Sequence, residues 1–269
     1  MDLHCEVCGD ERAPMVVLLH GFPARWSSWR HVMERLAATH FVVAPDLRGA
    51  GDSGKPRGRD AYSIARFVED NIAIIDAFGR ERVFLAGHDF GGGVAWATTM
   101  FHPERIEKLG IVNSVHPVGF ERQMRRWSQL KKSWYVFMFL LPYLPEWWLS
   151  RDDHSFLKKS LLDDGLSEAD VDDLMIGMRM PGALHAMIDW YRASFRDGVA
   201  KRFTPRKVET STLVIWGDRE PHFDAALANP PDDWVTDVRV EHLSNAGHWP
   251  PHEAPAETSE LLARHFVSA

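Results

Sequence analysis

Four short motifs carry side chains able to make or break bonds. The first, Gly87-His88-Asp89-Phe90-Gly91-Gly92, follows the apolar run Val83–Ala86 and precedes a helical pattern over Val94–Thr99. A strand, a tight turn and a helix, with small residues around one reactive side chain, is the layout of a nucleophile elbow. Such a turn lifts Asp89 above the sheet beside a helix N-terminus, whose dipole favours an ionised carboxylate. The same residues also fit a glycine-rich turn in which Asp89 is only a helix cap. The second motif, His20-Gly21-Phe22-Pro23, follows Met15–Leu19. There the backbone N–H of Phe22, with that of Phe90, can form an oxyanion hole, whereas Pro23 has no N–H to give. The third, Gly217-Asp218-Arg219-Glu220-Pro221, offers an acid, and the fourth, Gly247-His248-Trp249-Pro250, offers an imidazole base. Each is an ordinary loop when taken alone, and the chain has 14 histidines. The order nucleophile, acid, histidine, each after a strand, selects these residues from the rest.

The chemistry follows from the nucleophile. An ionised carboxylate can displace a leaving group at saturated carbon without a base, and the product is an alkyl ester of Asp89. His248 then activates a water that attacks the ester carbonyl, and the oxyanion hole acts in this second half. An acid behind His248 keeps the useful tautomer.

These motifs need a scaffold. Met15–Leu19, Phe41–Ala44, Val83–Ala86, Leu109–Asn113, Leu213–Trp216 and Val238–Leu243 read as strands, with a further one at Leu3–Val7. Nearly continuous apolar runs suit parallel strands covered on both faces. Ser63–Phe78 and Ala254–Val267 read as amphipathic helices, with Gly79 at a C-terminal cap and Pro255 in a first turn. Alternating strands and helices predict an α/β fold with a mostly parallel, doubly wound sheet. The rhythm stops between about 115 and 207, where helical pieces are punctuated by Pro142, Pro145, Gly165, Pro181 and Gly182. Residues 115–207 are therefore expected to be an inserted helical cap between two parts of one core, 1–114 and 208–269.

Composition narrows the partners. The 269 residues carry a net charge of −7 without a dense basic stripe, so nucleic acid is not an expected partner. The longest apolar run, Trp134–Leu141, is far short of the ~18 residues that span a bilayer, and the N-terminus lacks a signal-peptide core. Cys5 and Cys8 are the only cysteines, too few for a structural zinc site; they read as small strand residues, and a cytoplasmic setting is expected. No cofactor or metal is called for.

Together, His20-Gly21-Phe22-Pro23, Asp46-Leu47-Arg48-Gly49-Ala50-Gly51-Asp52-Ser53, the Asp-centred elbow and Gly247-His248 resemble the α/β-hydrolases of the epoxide hydrolase and haloalkane dehalogenase branch, over nearly the whole chain. The resemblance implies the α/β-hydrolase fold and an Asp89–His248–acid triad. By offset from Gly217 the acid is Glu220, where relatives usually have Asp, with Asp218 as the fallback. It also implies a further strand before Leu3–Val7, so a shortened sheet edge is expected. Tyr135 and Tyr191 match the tyrosines with which epoxide hydrolases hydrogen-bond the oxirane oxygen. Haloacetate dehalogenases are similar too, but carry a His-Trp pair where this chain has Tyr135-Val136. Relatives that release halide use a Trp N–H at the position of Phe90, and some dehalogenases place the acid at the position of Asn113. The sequence thus points to an apolar small-molecule epoxide as substrate and a vicinal diol as product. Dehalogenation, ester hydrolysis and a receptor-like ligand-binding role are the alternatives. Trp26, His20, Pro23, Met138, Phe139 and Trp249 are expected to line the substrate pocket. Asp46 and Arg48 are expected in a structural turn, and His88 pointing into the fold.

Overall fold

The computed structural model describes residues 1–202 and 206–267. Seven strands form one sheet: β1 (Cys5–Cys8), β2 (Met15–Leu19), β3 (Phe41–Pro45), β4 (Val83–His88), β5 (Ile106–Val112), β6 (Thr212–Gly217) and β7 (Val238–Leu243). Their order is β1-β3-β2-β4-β5-β6-β7, and only the edge strand β1 runs antiparallel to its neighbour.

Alternation along the buried strands separates two apolar layers. Val16, Leu18, Val42, Ala44, Phe84 and Ala86 face one side. There they meet helix α1 (Arg30–Leu36), through Val32 and Leu36, and a C-terminal helix, Pro255–His265, through Leu262. Val17, Leu19, Val43 and Leu85 face the other, against α2 (Ile64–Ala77) and α3 (Phe90–Phe101). Parallel strands covered on both faces are all but solvent-free, which explains their unbroken apolar sequence.

Between β5 and β6 the described residues form helices and no strand. These are α4 (Pro117–Gln123), α5 (Trp127–Lys132), α6 (Trp134–Phe139), α7 (Leu144–Leu149), α8 (Ser155–Asp163), α9 (Glu168–Met178) and α10 (Ala183–Arg202). Residues 203–205 of this expected insert lie outside the described residues. Ion pairs fasten α9 to the core: Arg25 to Asp173 at 2.7 Å and Arg30 to Asp170 at 2.7 Å. The Trp190 indole of α10 donates to the Arg48 carbonyl at 2.9 Å. After β7 come α11 (Pro250–Glu253) and α12, the Pro255–His265 helix.

Candidate active site

The C-terminal ends of β2, β4, β6 and β7 lead into the turns that hold the four motifs. Asp89 stands between β4 and α3 with φ 51° and ψ −122°, a left-sided conformation that is strained for a residue with a Cβ. Packing holds it there. A Cβ on Gly91 would lie 2.4 Å from the carbonyl oxygens of Leu19 and His20, and a Cβ on Gly21 would lie 2.5 Å from the Asp89 side chain. Only glycine lets the two loops approach this closely.

One carboxylate oxygen of Asp89, Oδ1, accepts the Phe22 N–H at 2.9 Å. The other, Oδ2, faces His248 Nε2 at 3.6 Å. Phe90 opens α3, where the first N–H groups of a helix have no partner in the helix itself. Behind His248, Nδ1 lies 2.7 Å from Glu220 Oε2. Glu220 also accepts Asn113 Nδ2 at 2.6 Å on Oε2 and the His222 N–H at 2.7 Å on Oε1. Asn113 closes the arrangement by accepting the Gly217 N–H at 2.8 Å. Asn113 is thus an amide that orients Glu220. Asp218 sits at the surface against His242, 2.6 Å away, so Glu220 is the carboxylate placed beside His248.

Charge is strongly organised. Burial pushes the Asp89 carboxyl up, but the His248 contact and charge and the Phe22 N–H outweigh it and hold Asp89 near 2. Burial pulls His248 down, while Glu220 and Asp89 raise it well above an ordinary imidazole. In the resting site His248 is a cation between two anions. His88, buried and donating through Nε2 to the His248 carbonyl (2.7 Å), is pushed to about 3 by burial and by the His248 charge, and is neutral.

Two cavities meet at Asp89. One, of about 120 Å³, is lined by Pro23, Tyr135, Met138, Phe139, Tyr191 and Trp249 among others. The second, of about 170 Å³, shares Asp89, Tyr135 and Tyr191 and runs past Phe90 toward Phe120 and Phe223. Tyr135 on α6 and Tyr191 on α10 stand edge to face, 6.4 Å between centroids. Burial, followed by the negative charge of Asp89, holds both phenols far above the usual tyrosine range, so both keep their protons.

Two expected pocket residues stand elsewhere. His20 is buried away from both cavities because its ring is engaged: Nδ1 lies 2.9 Å from the Gly21 carbonyl, and Nε2 accepts the Leu47 N–H at 3.0 Å. Trp26 packs with the layer around α1, and its backbone N–H binds Asp46 Oδ1 at 2.8 Å. Asp46 also takes the Asp52 N–H, and Arg48 pairs with Asp70, so this segment is a structural turn. One neighbour of the site has no sequence signal beyond its place two residues after Glu220. His222 lines the first cavity, 4.8 Å from the His248 ring, and its Nε2 lies 2.8 Å from Asp164 at the end of α8.

Residues 14–255 match the model of the α/β hydrolase fold family. The chain belongs to the α/β-hydrolase family. Within it, several relatives and solved neighbours are named epoxide hydrolases. An AB hydrolase superfamily protein, YfhM, of Bacillus subtilis is 34% identical, covering 98% of this chain and 94% of the relative. Epoxide hydrolase 3 of Xenopus tropicalis is 33% identical, over 96% of this chain and 73% of that protein. The inhibitor-bound crystal structure of a Bacillus megaterium epoxide hydrolase superposes with a TM-score of 0.89 at 29% identity, covering 98% of this chain and 96% of that one. This α/β-hydrolase is therefore a hydrolase in the epoxide hydrolase group. Among its described residues no helix is long and apolar enough to cross a membrane.

Proposed function

We propose that this α/β-hydrolase opens apolar epoxides to vicinal diols through an ester on Asp89, beneath a cap formed by the helices between β5 and β6. The observation that carries the reading is the pair of half-buried, protonated phenols, Tyr135 and Tyr191, that share both cavities with an ionised carboxylate. Opening an oxirane creates an alkoxide, and a phenol held beside it can donate the proton it needs.

In the first half, Asp89 Oδ2 attacks an oxirane carbon, the C–O bond breaks, and a tyrosine protonates the departing oxygen. Oδ1 stays in the Phe22 N–H cradle, the position where negative charge develops in the second half. Esterification removes the Asp89 charge, one of the two that keep His248 protonated. His248 thereby becomes a better base at the step that requires one. The imidazolium proton passes to the tyrosinate left by ring opening, and the neutral imidazole then takes a proton from water, the oxygen of which adds to the Asp89 carbonyl carbon. Collapse of that adduct expels the diol and leaves the water oxygen in the carboxylate. Phe90 carries no side-chain N–H to cradle a halide, which favours the epoxide over a haloalkane.

Mass spectrometry of the His248→Ala protein with styrene oxide tests this. The expected result is a stable adduct on Asp89, absent in Asp89→Asn, while the wild-type protein forms diol. An unmodified Asp89 across a panel of epoxides, with no diol from wild type, overturns the reading, and halide release from haloalkanes replaces it with the dehalogenase.

A further inference from the structure

The inserted helices leave an unusual amount of aromatic surface in water. Trp134, Phe137 and Leu141 recur at three- and four-residue spacing along α6 and the turn after it, and all three are exposed. Trp134 and Phe156 lie 6.5 Å apart, and Trp148 bridges them at 6.3 and 4.1 Å. Trp127 on α5 is 70% exposed and Trp147 on α7 is 57% exposed. At the tip between α6 and α7, Tyr143 is 84% exposed and adopts a left-handed φ of 60°, which is strained for a bulky residue. Folded proteins seldom leave apolar groups clustered like this unless something covers them.

The same segment is basic although the protein is acidic. Residues 122–151 contain six Lys and Arg against one acid, in a chain of net charge −7; Arg122 and Lys132 are paired with Asp233 and Asp224, and Glu121, Asp152 and Asp153 flank the stretch, so Arg125, Arg126, Lys131 and Arg151 carry its positive charge. The cations stand among the rings: the Lys131 ammonium lies 5.7 Å from the Trp127 ring and the Arg151 guanidinium 4.9 Å from that of Trp147. Arg125 and Arg126 are exposed beside Trp127. The single acid, Glu146, is paired with Arg192.

We propose that this aromatic and basic face seats on the surface of an anionic phospholipid bilayer. Trp and Tyr rings settle at the headgroup level, and Lys and Arg beside them are attracted to anionic headgroups. A second copy of the chain is a poorer occupant, because a two-fold dimer through this patch sets its cations against themselves. Trp134 and Phe156 belong both to the exposed face and to the wall of the first catalytic cavity. Docking therefore turns the mouth of that cavity toward the lipid, where an apolar epoxide concentrates. That last consequence rests on the proposed activity, whereas the docking does not.

The test is flotation of the full-length protein with vesicles of phosphatidylcholine alone and of phosphatidylcholine mixed equally with phosphatidylglycerol. Wild type is expected to float with the anionic vesicles only, and less at high salt. Arg125→Gln, Arg126→Gln and Lys131→Gln combined should weaken partitioning on the order of a hundredfold, since each cation near an anionic surface contributes roughly fivefold. Trp127→Ser with Trp147→Ser should also detach the protein. None of these residues lines either cavity, so diol formation from dissolved styrene oxide should persist in both variants and report an intact fold. Equal partitioning onto neutral and anionic vesicles, or wild-type partitioning of both variants, overturns the proposal. So does a dimer that the same substitutions dissociate. Vesicle binding without diol formation by wild type would count against the activity instead.

Discussion

Glu220→Gln separates the two halves of the proposed cycle. The carboxylate accepts three hydrogen bonds, from Asn113 Nδ2 and His248 Nδ1 on Oε2 and from the His222 N–H on Oε1. An amide cannot reproduce this. With its oxygen at the Oε2 position, the NH2 group confronts the His222 N–H, and one buried donor goes unsatisfied at a cost of about 1–3 kcal/mol. With its nitrogen there, it confronts Asn113 and forces His248 into the tautomer that carries its proton on Nε2, facing Asp89. Glu220 is also the leading charge that raises His248 against burial, so the variant loses stabilisation of the imidazolium formed as water attacks. Loss of tautomer control in a comparable triad of another enzyme costs about 10⁴ in rate. Ester hydrolysis should fall by roughly 10³–10⁴, a barrier increase of about 4–5.5 kcal/mol. Alkylation should change little, because Oδ1 keeps its Phe22 cradle and a carboxyl held near 2 stays ionised at neutral pH even after a substantial rise. Rapid-quench single turnovers, with the Asp89 peptide weighed at each time, should show the ester accumulating at nearly the wild-type rate and decaying slowly. Unchanged diol formation, or both steps slowing together without ester, would refute the assignment of Glu220.

Tyr135→Phe and Tyr191→Phe should each slow alkylation by about 10–100-fold, and the double variant by considerably more, with ester decay unaffected; single-turnover rates check this. Gly21→Ala places a methyl 2.5 Å from the Asp89 carboxylate, so alkylation should be lost while circular dichroism and the melting transition show a folded protein. Stability should fall with rising pH above 6.5. There the unfolded chain releases the His248 proton that the native state retains, and the fall continues until the native imidazole also deprotonates. Thermal melts of His248→Gln should lack this slope, and an identical slope in the variant would assign it to another group.

Sequence showed most of the scaffold because the sheet is buried on both faces, and five interior or near-interior runs announced themselves as apolar blocks. It was less exact where burial weakens. The edge strand is Cys5–Cys8, not Leu3–Val7, since one half-exposed ladder leaves little pattern. The strand at β5 begins at Ile106 because Glu107 and Lys108 lie at the sheet margin, and it stops before Asn113, which turns to φ 37° to reach Glu220. Asp89, Glu220 and His248 were legible because each follows a strand within a constrained turn. His20 and Trp26 show the limit of that logic. Their place in the chain is beside the pocket, but ring hydrogen bonds and packing turn them away. The contact of His222 with Asp164 joins residues 58 positions apart across the cavity, and nothing local in either segment encodes it.

The two tyrosines belong to α6 and α10, whereas Asp89, His248 and Glu220 all follow strand ends. Under the proposed cycle the sheet owns ester formation and cleavage, and the inserted helices own the reception of the leaving group. Such a division makes the chemistry separable in descent. A lineage can exchange one kind of leaving group for another by rewriting helices between β5 and β6, without disturbing the crowded, glycine-dependent turns that hold Asp89. The strained turn can stay as it is while change enters through the part of the chain least bound by the geometry of the sheet.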